Sequence, residues 1–221
     1  MKTITVKGVG KASAPVDSVE LSFRLQAKNR DYDQAVHDAD QKLSALENAL
    51  CAAGFPAADF QTAGFHVDTE YENVRDEGGN YQSVFAGYVC SYEQLLRFDF
   101  DTTRLGEAIS AVAASRSEPE LQLSFTVREP EKLEATLLRA AADSARARAE
   151  ILCAAAGRRL GELQTIDYDV MRLNFRSQTG LDLNCMPQTA GNGMAKRGLS
   201  ASFRPRDIEL EDTAVFVWEM L

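Results

Sequence analysis

The spacing of apolar residues changes along this chain, and each change predicts an element. Apolar and polar residues alternate from Thr3 to Lys11, which predicts a first strand. After Pro15, Val19, Leu21, Phe23, Leu25 and Ala27 alternate with Glu20, Ser22, Arg24 and Gln26, a second and longer strand. The period then lengthens. Ala35, Ala39, Leu43, Leu46 and Leu50 recur at three- and four-residue steps and predict one apolar stripe on a helix. Asp31 with Gln34 three residues on resembles a capping box, and Gly54 is placed to end that helix. Phe60 to Tyr71 resumes a strand, residues 76–80 form a turn cluster, and Tyr81 to Phe100 returns, so the pair predicts a long β-hairpin. Asp101 is placed to cap a second helix carrying Leu105, Ile109 and Val112; Leu121, Leu123, Phe125 and Val127 then alternate as a strand.

Residues 16–128 thus follow a β-α-β-β-α-β order, the ferredoxin-like arrangement of two helices on one face of an antiparallel sheet. What remains, 1–15 with 129–221, predicts a second helix-on-sheet unit. Its helix opens at Pro130 and stops at Gly157, with a stripe of Leu133, Leu137, Ala141, Ala145 and Leu152. A strand over 160–176 follows. The last strand carries Ile208, Leu210, Ala214, Phe216 and Trp218 on one face; Val215 and Val217 on the other predict burial of part of it on both sides. The fold class is α+β, as two interleaved two-layer sandwiches with long antiparallel strands.

Between the last two strands, residues 177–206 form a long loop of the kind that is uncommon inside a compact domain. From 172 to 206 there are six basic residues, Arg172, Arg176, Lys196, Arg197, Arg204 and Arg206, against one acidic residue, Asp182. The whole chain is −9, so this stretch is +5 and the rest is −14. An acidic global field repels phosphate backbones, and no aromatic is interleaved with the basic residues between Arg176 and Phe203, which argues against nucleic acid. The loop is instead expected to order against the acidic surface of another subunit or to stand solvated, and Arg176, Met186, Met194, Lys196, Arg197 and Arg204 are its candidate assembly residues.

Motifs for chemistry are few. Gly8-Val9-Gly10 lacks the third glycine and the following helix of a dinucleotide fingerprint, and predicts a glycine-permitted bend or bulge in a strand. The paired carboxylates Asp31/Asp33, Asp99/Asp101, Asp167/Asp169 and Glu209/Glu211 could serve a metal-dependent hydrolase, but caps and solvated faces account for most of them. His37 is expected at the surface and His66 half-buried. Cys51, Cys90 and Cys153 are expected as buried free thiols and Cys185 as exposed; none has the spacing of a zinc site. Arg146 and Arg148 lie mid-helix, Arg148 on the series of the apolar stripe, so a strand carboxylate or a bound anion is its expected partner. No catalytic residue, cofactor or metal is expected. No apolar run is long enough to span a membrane, and the alternating start differs from a signal peptide, which gives a cytoplasmic expectation.

Four stretches together resemble the SIMPL (DUF541) family: Ile4-Thr5-Val6-Lys7-Gly8-Val9-Gly10 with Pro15 and Asp17; Leu50 through Gly54-Phe55 with Asp59-Phe60-Gln61-Thr62; Ala145-Arg146-Ala147-Arg148-Ala149-Glu150 with Leu152, Gly157 and Leu160-Gly161; and Pro205-Arg206-Asp207-Ile208-Glu209-Leu210 ending in Val215-Phe216-Val217-Trp218-Glu219. Phe55 and Phe60 stand where the family usually has aliphatic residues. Many relatives carry a signal peptide and act in the periplasm or at the cell surface, which the alternating start of this chain does not predict. The resemblance implies two interleaved α+β units, a tendency to oligomerise, in some relatives into rings or channels, and no catalytic residues. The leading expectation is a non-enzymatic self-assembling protein whose partner is itself and possibly other proteins; the alternative is a small-molecule or anion-binding module using a cleft between the two units, with Arg146 or Arg148 facing it.

Overall fold

The computed structural model describes residues 2–75, 81–169, 173–179 and 204–221. The elements are β1 (Thr3–Ala14), β2 (Ser18–Asn29), α1 (Tyr32–Ala52), β3 (Phe60–Arg75), β4 (Tyr81–Asp99), α2 (Thr102–Ser115), β5 (Glu120–Thr126), α3 (Pro130–Ala155), β6 (Leu160–Asp167) and β7 (Ile208–Met220). The described residues divide into two compact units. One takes 2–17, 126–169, 173–179 and 205–221, and the other takes 18–75, 81–125 and Arg204.

The unit around 18–125 has one antiparallel sheet in the order β3-β4-β2-β5. Each helix joins two strands that a third strand separates: β4 lies between β2 and β3, and β2 between β4 and β5. This is the split arrangement predicted from the alternation. Val19, Leu21, Phe23 and Leu25 are fully buried, so one face of β2 lies wholly in the core, each large side chain adding roughly 1.5–3 kcal/mol of transfer free energy. α1 covers this row with Ala35, Ala39, Leu46 and Leu50. Its start is fixed locally: the Asp31 carboxylate accepts from the Gln34 N–H at 2.9 Å, while the Gln34 side chain donates to Asp38 instead of completing the box. Asp101 does the same for α2, accepting from the N–H groups of Thr103 and Arg104. Those bonds hold its carboxyl below the usual range. Phe55 packs edge-on against Phe98 at 5.2 Å, with the Arg104 guanidinium 4.8 Å over its ring.

In the other unit α3 lies on a three-stranded sheet, β1-β7-β6. β1 pairs with β7 without a break, from Thr3↔Glu219 to Ala14↔Ile208. The expected bulge at Gly8-Val9-Gly10 is therefore absent, and the glycines have another cause. A Cβ on Gly8 would stand 2.1 Å from the Ala141 carbonyl oxygen, and one on Gly10 would stand 2.1 Å from that of Leu137. The backbone of α3 rests on the backbone of β1, and only a residue without a side chain fits between them. The buried residues of α3 are Leu133, Leu137, Ala141, Ala145, Ala149 and Cys153. A strict four-residue step rotates about 40° per step around a helix of 3.6 residues per turn, so the stripe winds along the twisted sheet below it. Leu152, expected on the stripe, is 53% exposed because Cys153 takes that place.

Three further expectations change. The strand expected over 160–176 ends at Asp167, where pairing with β7 stops; Tyr168 turns to donate its hydroxyl to Asp212 at 2.9 Å. Leu173 and Phe175 then pack on Val127, Leu133, Leu137, Ile208 and Leu210, and Arg176 makes one bridge to Thr126. Val215 and Val217 are half-buried, not buried, and Phe216 and Trp218 carry the core face as stacked rings. Cys51 is exposed, because Leu50 beside it fills the buried position; Cys90 and Cys153 are buried free thiols, and burial raises the Cys90 pKa.

Candidate functional site

β3 and β4 run past the rest of their sheet. β4 pairs with β2 only from Tyr88 to Asp99, whereas its pairing with β3 continues to Arg75↔Tyr81. Residues 70–75 and 81–87 are thus a two-stranded ribbon, an arrangement that is only marginally stable alone. β2 ends where Gly87 meets it: Gly87 has φ 153°, and a Cβ there would stand 2.7 Å from the Asn29 carbonyl oxygen. A register shift between Glu70 and Tyr71 leaves Ala86 unmatched and bends the ribbon at that point.

The two faces of the ribbon differ. On the helix side, aromatic rings succeed one another: Phe65 on Tyr92 at 4.8 Å, Tyr32 on Tyr88 at 5.5 Å, Tyr88 on Phe85 at 5.2 Å and Phe85 on Tyr71 at 5.9 Å. Near α1 this row is anchored by the cluster of Ala27, Ala35, Ala39 and Cys90. Farther out it meets water. Tyr81 is 73% exposed and Tyr71 58%; Phe65 and Phe85 are exposed too, as are Val74 and Val84 on the other face. On the opposite face, Asp68, Glu70 and Glu72 form an acidic row. Lys28 bridges Glu70 at 2.7 Å and Glu72 at 3.2 Å, and these bonds raise its pKa. β3 is an edge strand of 16 residues, and His66 on it is exposed instead of half-buried because it points to the face without helices. Sequence reasoning found the hairpin but missed the exposure. The signal was present: from Asp68 to Arg75 the alternation fades and nearly every residue is polar or aromatic.

The candidate arginines Arg146 and Arg148 belong to the other unit. Arg146 pairs with Glu150 on its own helix at 3.1 Å, and Arg148 donates to the Lys7 carbonyl of β1 at 3.0 Å. Both are exposed, since Ala145 and Ala149 hold the stripe at that level. Arg176 and Arg204 are exposed on either side of the loop. The loop's base is tied: Ser177 Oγ donates to the Arg206 carbonyl at 2.7 Å, and the Arg206 N–H donates to Thr179 Oγ1 at 2.9 Å. Met186, Met194, Lys196 and Arg197, with Arg172, Cys185 and the 76–80 turn, lie outside the described residues.

A second feature is a cavity of about 400 Å³ with Lys28, Lys42 and Arg116 on its lining, facing Asp38, Gln41 and Ser117. Lys42 donates to the Gln26 carbonyl at 2.8 Å. Asp38 is held below the usual carboxylate range by hydrogen bonds from Gln34 and Asn29. Arg116 and Glu118 are both left-handed, at φ 55° and 51°, on either side of the buried Ser117. Among the described residues no three His, Cys, Asp or Glu side chains stand together to hold a metal, and no helix is long and apolar enough to cross a membrane.

The arrangement defines an α+β protein of two helix-covered antiparallel sheets, one of them extended by an exposed ribbon. The SIMPL family model, described as a protein of unknown function (DUF541), matches residues 4–218, and the chain belongs to that family. The comparison with curated proteins found no match.

Proposed function

We propose that this protein works by assembling with copies of itself, without catalysis, and that it does so in the cytoplasm. The observation that supports this is the ribbon. It exposes Tyr71, Tyr81 and Phe85 on one face, next to Phe65 on the uncovered edge strand β3, and exposed apolar surface of that kind marks interaction sites. Three unpaired thiols at Cys51, Cys90 and Cys153 accord with a reducing compartment. Light scattering on the full chain tests the reading. A defined mass above the 24.3 kDa of one chain is expected, with a fall to the monomer when Tyr71, Tyr81 and Phe85 are replaced together by Thr. A monomer at tens of micromolar wild-type protein overturns it.

A second reading rests on the cavity between α1 and the residues after α2. Lys28 on its lining already pairs with Glu70 and Glu72, which leaves Lys42 and Arg116 with one carboxylate, Asp38, in a protein of net charge −9, and that supports a small anion. A rise in melting temperature with citrate or phosphate, abolished by Lys42→Ala, supports it; no rise with either anion removes it.

A further inference from the structure

β3 stands at the end of its sheet and pairs with β4 on one side only. From Gly64 to Glu70 that pairing runs without a shift, so alternate backbone groups along the outer edge face away from the ladder. Exposed edges are commonly guarded by lysine, proline or a bulge. Residues 60–75 hold no Lys and no Pro, and the two register shifts of β3 fall outside the Gly64–Glu70 stretch. The edge is open there to a further strand.

The side chains beside it form two unlike rows. Phe65, Val67 and Tyr71 lie on the helix side, with Phe65 and Tyr71 exposed. Asp68, Glu70 and Glu72 lie on the other face, all three exposed. Lys28 offsets one of these three charges. Farther along that face Arg24 pairs with Glu93 and Arg97 with Glu20, so neither supplies a cation to the row. Two β3 edges paired antiparallel and centred on Glu70 would set the three carboxylates against the same three, and like charges directly opposite are destabilising. An acidic strand is rejected in the same way, whereas a cationic one is matched.

We propose that the β3 edge takes, by strand addition, an extended cationic peptide of another protein in which Lys or Arg alternates with apolar residues. Main-chain bonds to the open edge supply affinity; the apolar row beside Phe65 and Tyr71 and the cationic row beside Asp68, Glu70 and Glu72 set the register. This goes beyond the self-assembly reading, which rests on ring faces and not on the main chain of β3. The probe is a fluorescein-labelled Lys-Val-Lys-Val-Lys-Val-Lys peptide, read by anisotropy on the full chain. Saturable binding is expected below about 1 mM. Lys-Lys-Lys-Lys-Val-Val-Val, of equal charge but without the alternation, is expected to bind about tenfold more weakly. Methylating the peptide's backbone nitrogens on one alternate set of residues should abolish binding, and methylating the other set should spare it, because a strand turns only every second residue to its neighbour. The variant Asp68→Lys/Glu72→Lys leaves the Lys28–Glu70 bridge in place; with wild-type circular dichroism and melting temperature, it should bind about tenfold more weakly. No binding at 1 mM, equal binding of the two lysine peptides, indifference to methylation of either set, or unchanged affinity of a folded Asp68→Lys/Glu72→Lys each overturns the docking. A wild type that is monomeric yet binds the peptide removes self-assembly and keeps this inference; an oligomer that does not bind it does the reverse.

Discussion

Replacing Gly8 or Gly10 with Ala puts a methyl group where α3 already is. The added carbon would lie 2.1 Å from a helix carbonyl oxygen in either case, with Ala145 Cβ at 2.8 Å from the first and the Ala141 nitrogen at 2.9 Å from the second. These are mostly backbone atoms, so no flexible side chain can swing aside. Relief requires α3 to withdraw by about 1 Å, and a radial gap of that size forfeits roughly a quarter to a half of each van der Waals contact it opens. The gap would run along Leu137, Ala141 and Ala145, over Val6, Ala214 and Phe216. Overpacking of this kind costs about 1–3 kcal/mol and sometimes more; the Gly→Ala loss of unfolded-state entropy offsets about 0.4–1. A net loss of about 2 kcal/mol is expected for each variant, read by urea denaturation with the slope unchanged. One withdrawal relieves both clashes, so the double variant should lose clearly less than the sum of the singles. Gly106 is the control: it sits inside α2, where an added methyl would meet open space, and Gly106→Ala should stabilise by about 0.5–1 kcal/mol. Single variants within about 0.5 kcal/mol of wild type, or strict additivity, would refute the close-contact account.

Three other expectations follow from particular contacts. Arg97 bonds the Glu20 carboxylate at 2.7 Å, and that side chain is only 8% exposed, so Arg97→Met should cost about 1–3 kcal/mol and the added Glu20→Gln should recover part of it in chemical denaturation. The Tyr92 hydroxyl donates to Asp40 at 2.6 Å, and this bond, with burial behind it, pushes its pKa up to about 12. Folding then favours the protonated phenol, so its stabilisation is whole below the ordinary value of 10.0 and is lost as pH rises toward about 12; Tyr92→Phe should flatten that alkaline loss in melting curves, and an unchanged curve refutes it. In a Cys185→Ser background a thiol reagent should label Cys51 at once and Cys90 and Cys153 only on unfolding; prompt labelling of all three would contradict their burial.

What could be read from the sequence is what depends on near neighbours. Asp31 and Asp101 cap helices through bonds two or three residues away, and β2 alternates because one face is wholly buried. What could not be read depends on partners far along the chain. Gly8 and Gly10 look like a bulge until α3, more than a hundred residues later, is laid on them. Asp212 follows Glu211 but falls on the buried row of β7 with Leu210 and Ala214, and its partner there, the Tyr168 hydroxyl, comes from outside the strand. The candidate ribbon was hard to see for a different reason. A strand exposed on both faces has no buried row to impose alternation, so its sequence records only the turn between its arms.

The pairing of β1 with β7 also fixes an order of events during synthesis. Ala14 waits for Ile208, 194 residues later (208 − 14), and α3 cannot seat its small-residue stripe on a complete sheet until β7 emerges. The strands and helices between 18 and 125 come from one continuous run and can close first. On a ribosome making about 5–20 residues per second, β1 therefore spends roughly ten seconds or more as an unpaired strand while its neighbour folds. Lys7 and Lys11, alternating with its glycines, hold charge on it through that interval, a common guard against premature pairing with another chain.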